Sequence, residues 1–215
     1  WLAGRQSFGK SHGVSREEVR KRLPGLKPDA LRGGVLYHDG QFDDARLVIN
    51  LMQTAAEQGA TTLNYCRVEQ LLKSSDGRVR GEEYTDVEKG QRNKVQAKCV
   101  INATVPFSDG IRSLDEPAAP KLIMPSRGVH LVFDGKILGA NTALLVPKTR
   151  DGRVVFAIPW HGHCVLGTTD TPVDIAKLEP EVSEDEIEFL LQTAADYFSP
   201  APTRDDILST FAGIR

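Results

Sequence analysis

With 215 residues, 40% of them hydrophobic, the chain is long enough to bury a core, either as one large domain or as parts of two. Its 27 basic and 29 acidic side chains leave a net charge of −2, which excludes nucleic acid as a partner held by bulk electrostatics. The three cysteines, Cys66, Cys99 and Cys164, are far apart and odd in number, which argues against a disulfide framework or a zinc site and suits a reducing, cytoplasmic setting.

No apolar run approaches the roughly 18 residues of a membrane-spanning helix, and the start "WLAGRQSFGK" has no signal-peptide pattern. The first residue is not Met, and "STFAGIR" ends on a strand-like run, so the expectation is a piece of a longer protein. The first predicted helix lies in "VSREEVRKRLPG", where Ser15 and Glu18 have capping-box spacing and Pro24-Gly25 stops the helix. Its charges read as a solvated face. The second follows Asp43-Asp44 and runs to about Gln58, with Leu47, Leu51 and Ala55 on one stripe that should pack against something, and Gly59 beyond its end.

After it the hydrophobic period drops to two, with turns at Ser75-Asp76-Gly77, Lys89-Gly90, Asp134-Gly135 and Asp151-Gly152. The strands expected are "TTLNY", "RVEQLLK", "RVRGEEYTDV", "NKVQAKCVINA", "GVHLVF", "TALLVPK", "VVFAIPW" and "CVLGTT". A third helix opens at Ser183 and Glu186, a second capping box, and carries Ile187, Leu190, Leu191, Ala194 and Phe198 before Ser199-Pro200. The pattern predicts an α+β fold, largely antiparallel, with one βαβ-like segment near residues 35 to 105.

Several chemistries lack their motif. The chain has no G-x-G, no P-loop and no G-x-S-x-G elbow. His161 and His163 in "HGH" would share a strand face, yet no further ligands stand near, so no metal is expected. The residues by themselves lead to a two-lobed α+β protein with a cleft.

Five segments carry more. "GGVLYHDGQFDDARLVINLMQTAAEQGA", "VINATVPFSD", "PSRGVHLVF", "LLVPKTRDGRVVFAIPWHGHCVLGTTDTP" and "FAGIR", in that order and spacing, resemble the FAD-dependent glycerol-3-phosphate dehydrogenase family across almost the whole chain. The resemblance implies that residues 39–109 form part of an FAD-binding βαβ lobe. Residues 1–38 and 110–215 would then form an antiparallel-sheet substrate domain flanked by helices.

It also implies oxidation of glycerol 3-phosphate to dihydroxyacetone phosphate, with hydride passing from C2 to FAD. His130 matches the family histidine facing the substrate, as proton acceptor or hydroxyl orienter, and Arg215 matches the substrate arginine, whose guanidinium suits a phosphate. Both are the implied catalytic residues, and Thr169 and Asp170 of "GTTD" join them at the substrate. Val68, Ala103, Thr104, Asp109 and Thr168 are the implied FAD contacts.

The family reads A-T-G-P where this chain has Ala103-Thr104-Val105-Pro106, a departure compatible with tolerance or with a displaced cofactor. Without a Gly-rich turn the 215-residue chain itself is expected to be inactive and nearly free of FAD. Two alternatives stay open: another FAD-dependent oxidoreductase of the same superfamily, or a non-catalytic binding module that has lost FAD. In the longer protein the electron acceptor is quinone or oxygen, with peripheral contact on the inner face of the cytoplasmic membrane as the alternative to a free cytoplasmic enzyme. The sequence gives no sign of oligomeric state.

Overall fold

The computed structural model describes residues 8–29, 31–147, 149 and 152–215. Residues 1–7 of the "WLAGRQSFGK" start, Lys148 of the "TALLVPK" strand and Asp151 of the expected turn lie outside the described residues. The chain divides into two compact units, one of Trp1–Asp39 with Met124–Arg215 and one of Gly40–Ile123.

The first unit starts with β1 (His12–Ser15), α1 (Arg16–Arg22) and β2 (Gly33–Leu36), the two strands pairing antiparallel. Ser15 accepts the N–H of Glu18 at 3.3 Å, as its spacing predicts. The Glu18 carboxylate does not return to the cap: it pairs with Arg22 one turn on, at 2.9 Å.

The second unit contains α2 (Asp44–Glu57), then a meander of β3 (Cys66–Lys73), β4 (Val79–Asp86) and β5 (Gln91–Gln96), then α3 (Ser108–Asp115). Asp43 caps α2 by accepting the N–H of Arg46 at 2.9 Å. Three expectations fail here. "TTLNY" is not a strand, since pairing begins only at Cys66, and "NKVQAKCVINA" leaves the ladder after Gln96. Its apolar residues are strand-like, but no described strand lies beside Cys99–Ala103 to pair with them. Asn102 instead folds the segment over locally, accepting the Thr104 N–H and donating to the carbonyl of Ser108 at 3.0 Å. The stripe on α2 is not covered within its unit: the helix has no fully buried residue, and Leu47 and Leu51 are exposed.

The remaining elements return to the first unit: β6 (Ser126–Asp134), β7 (Leu144–Val146), β8 (Val155–Trp160), β9 (His163–Gly167), β10 (Thr171–Pro172), α4 (Glu184–Tyr197) and β11 (Ser209–Ile214). They build an antiparallel sheet in which β6 is central. β11 flanks it over Arg127–Val132, while β9 and then β10 run along its other edge, with β8 and β7 beyond β9.

Alternation assigns the two faces. Val129, Leu131 and Phe133 of β6, Cys164 and Leu166 of β9, and Val155 and Ala157 of β8 are buried with Ile187, Leu190 and Ala194 of α4 in one core. Full burial of each Val, Leu or Phe contributes about 1.5–3 kcal/mol, so Leu131→Ala alone should cost about 2–5 kcal/mol. Gly128, His130 and Val132 necessarily fall on the opposite face.

Candidate active site

On that opposite face glycines stand close to one imidazole. Phe211, His130, Gly167 and Phe156 are register partners on β11, β6, β9 and β8 and make one row. The His130 ring stacks on Phe211 with centroids 4.7 Å apart and planes 11° apart. On its other side a Cβ at Gly167 would stand 2.3 Å from His130 Cδ2, so a larger residue could not keep the ring where it is. In the next row Gly128 pairs with Gly213, and a Cβ at Gly128 would meet Thr168 Oγ1 at 2.5 Å. Glycine ordinarily weakens a strand, and here it gives the imidazole and Thr168 their space.

His130 Nδ1 is buried and has no hydrogen-bond partner among the described residues. Burial pushes the imidazole below its ordinary value, and the Arg215 cation adds to this, so the ring is neutral at pH 7.

Arg215 is tied to the sheet through its backbone, its N–H donating to the Ser126 carbonyl and its carbonyl accepting the Ser126 N–H, each at 2.9 Å. Its Nη2 lies 3.2 Å from Asp170 Oδ1, with both side chains more than half exposed. A hydrogen bond from Ser126, then the Arg215 guanidinium, hold the Asp170 carboxyl below the usual carboxylate range. Arg215 and Asp170 thus come together as an accessible charged pair, and Thr168 lies in the loop between Asp170 and the strand that flanks His130.

Thr169 is different. It is fully buried; its hydroxyl accepts the Val129 N–H at 3.0 Å and donates to Glu186 Oε1 at 3.1 Å. Its hydroxyl, expected at the substrate, is turned inward beneath the loop. Glu186 also receives Thr171 Oγ1 at 2.7 Å, Ser183 Oγ at 2.8 Å and an Arg127 guanidinium nitrogen at 2.8 Å. The capping-box spacing revealed Ser183 and Glu186, but not that one carboxylate also joins β6, β10 and the 168–170 loop.

In the Gly40–Ile123 unit, Val68 is half-buried on β3 opposite Tyr84, at the start of a bulge. Ala103 and Thr104 are exposed, and Thr104 Oγ1 donates to Asn102 at 2.8 Å. Asp109 accepts Arg112 Nη1 at 2.7 Å and the N–H groups of Leu122 and Ile123 at 2.9 Å each. These bonds brace the chain around Asp109, and those from Ile123, Arg112 and Leu122 lower its pKa.

The strip Ile101–Val105 presents a mostly apolar surface. Ile101 and Val105 are exposed, Ala103 is small, and the polar groups of Asn102 and Thr104 are turned onto each other. Val105 has φ +41°, a left-handed conformation that suits glycine and strains a β-branched residue. The sequence has no G-x-G to supply a phosphate-cradling turn.

Among the described residues no three His, Cys, Asp or Glu side chains cluster to hold a metal. His161 and His163 do not share a strand face: His161 sits in the β8–β9 turn at φ +45°, and its carbonyl is 3.0 Å from His163 Nδ1.

The open face of the antiparallel sheet thus carries an imidazole and an arginine in one register. The chain belongs to the FAD dependent oxidoreductase family, whose model matches residues 1–215. Within it the chain is similar to glycerol-3-phosphate dehydrogenases. The mitochondrial enzyme of Mus musculus is 41% identical over the whole chain, which covers 30% of that protein. The mitochondrial enzyme of Schizosaccharomyces pombe is 38% identical, with 34% of it covered.

The X-ray structure of glycerol-3-phosphate dehydrogenase from Bacillus halodurans complexed with FAD superposes with TM-score 0.86 at 32% identity, over 95% of this chain and 41% of that one. L-α-glycerophosphate oxidase from Mycoplasma pneumoniae with FAD bound, 20% identical at TM-score 0.75 over 100% of this chain and 55% of that one, shares the fold. The chain spans about a third of the length of the curated relatives it matches.

Proposed function

We propose that the protein carrying this chain oxidises glycerol 3-phosphate to dihydroxyacetone phosphate. FAD, when bound, accepts the hydride from C2. The observation that carries the reading is the 41% identity to a glycerol-3-phosphate dehydrogenase along the entire chain.

The residues have work that suits it. Neutral His130 accepts the proton of the C2 hydroxyl; with Nδ1 buried, the ring meets the substrate through Nε2. Arg215 offers its guanidinium to the phosphate, which competes with Asp170 for it, and Asp170 keeps the guanidinium in place until then. Thr168 lines the loop beside the reacting groups, and Thr169 holds that loop from beneath. Residues 39–109 serve the cofactor, with Val68, Ala103 and Thr104 as its contacts and Asp109 as the brace of that strip. Residues 1–38 and 110–215 serve the substrate.

Peripheral attachment to a membrane, with quinone as electron acceptor, completes the proposal. The name mitochondrial on the relatives supports only the compartment, that organelle in place of the cytoplasm. None of the described helices is long and apolar enough to cross a membrane.

The test is His130→Ala in the whole flavoprotein, assayed with glycerol 3-phosphate and a dye acceptor. Loss of a positioned proton acceptor should lower kcat and kcat/KM together by about 100-fold or more. An unchanged kcat removes His130 from the reaction. A second reading, a binding module without FAD, is favoured by Val105 in its strained conformation; a colourless whole protein with no flavin absorption would select it.

A further inference from the structure

We propose that Phe211 is a positioning residue for the reaction, holding the His130 ring in the one orientation from which it reaches the substrate. This rests on the role given to His130 above. A working imidazole is commonly oriented by a hydrogen bond to its second nitrogen, which fixes the ring torsion and the tautomer. In His130 that nitrogen, Nδ1, is buried and has no partner among the described residues, so none of them sets the ring by a hydrogen bond to it. Packing does it instead. Phe211 stands directly opposite on β11 and covers one ring face in a near-parallel stack, 4.7 Å between centroids. On the β9 side the ring lies over Gly167, so close that a Cβ there would overlap its Cδ2.

Phe211 and Gly167 together form a slot one imidazole wide. Phe211 has little other reason to be aromatic: it is 48% exposed and belongs to the face of β11 away from the core. A smaller aliphatic residue would leave the sheet intact and let the ring turn about its torsion, and displacement of a reacting group by about 1 Å can cost on the order of 100-fold in rate.

The experiment compares Phe211→Leu, Phe211→Tyr and His130→Ala in the whole flavoprotein, with glycerol 3-phosphate and a dye acceptor. Phe211→Leu should lower kcat at least tenfold with KM within about twofold, Phe211→Tyr should retain the parent kcat, and Phe211→Leu added to His130→Ala should cost nothing further. In NMR spectra of the whole flavoprotein with labelled histidine, the His130 ring protons should be shifted upfield by the Phe211 ring current and lose that shift in Phe211→Leu. If His130→Ala lowers kcat while Phe211→Leu leaves it intact, the positioning role is overturned and the functional reading stands. If His130→Ala leaves kcat unchanged, both fall. Imidazole signals unmoved by Phe211→Leu would overturn the slot irrespective of any substrate.

Discussion

Replacing Glu186 by Gln should expose how much of the substrate-side unit depends on one carboxylate. Its side chain is 6% exposed, and that of its partner Arg127 is 19% exposed. Burial alone would raise the Glu186 pKa, but hydrogen bonds from Thr171, Ser183 and Arg127 outweigh it and bring the carboxyl down to about 2. A group that titrates near 4.5 in the unfolded chain and near 2 in the folded one stabilises the fold by roughly 3 kcal/mol at neutral pH. Because the folded pKa is the lower one, that stability is fully present above about pH 4.5 and drains away as pH falls toward 2.

In Glu186→Gln the amide cannot pair with the Arg127 charge, and its NH2 faces donors. The expected loss at pH 7 is about 3–5 kcal/mol, a large share of the roughly 5–15 kcal/mol that holds a domain. Urea unfolding followed by tryptophan fluorescence at several pH values measures it. Between pH 5 and pH 3 the gap between parent and variant should narrow by about 2 kcal/mol, since the parent is losing its ionised carboxylate. A loss under about 1 kcal/mol at pH 7, or a gap that stays constant down to pH 3, would refute the argument that these hydrogen bonds hold a charged Glu186.

Val105→Gly should stabilise the Gly40–Ile123 unit by about 1 kcal/mol, since relief of roughly 1–3 kcal/mol of left-handed strain exceeds glycine's added unfolded-state entropy; an unchanged or lower urea midpoint would sink this. Cys164, 1% exposed and with its thiol pushed up to about 11 by burial, should resist iodoacetamide at pH 8 in the folded protein while exposed Cys99 reacts, and rapid labelling of Cys164 would contradict its burial. The 215-residue chain by itself should bind FAD too weakly to saturate, because a dinucleotide needs its pyrophosphate on a Gly-rich turn and the sequence has no G-x-G; saturable quenching of flavin fluorescence at low micromolar chain would overturn this.

Helix ends were legible because capping is local chemistry: Asp43 and Ser183 announce α2 and α4 within a residue of where they begin. Strands were less so, because a strand is defined by a partner that may stand anywhere in the chain. "TTLNY" and "KCVINA" carry the right residues and have no described neighbour to pair with, while "GVHLVF" has β11 on one side and β9 on the other.

The site divides along the same line. His130 and Arg215 could be proposed from motif resemblance, since each proposal needs only its own side-chain chemistry. That Thr169 is the one to turn inward could not be read from "GTTD", which presents three polar residues in a row. Phe211 and Gly167 were out of reach for a further reason. They lie 81 and 37 positions from His130, and what they contribute is a flat face and a missing Cβ. In one dimension a strand glycine reads as a weakness and a strand phenylalanine as core. Only the register of three antiparallel strands brings the two against one imidazole, and their meaning changes from stability to orientation once it does.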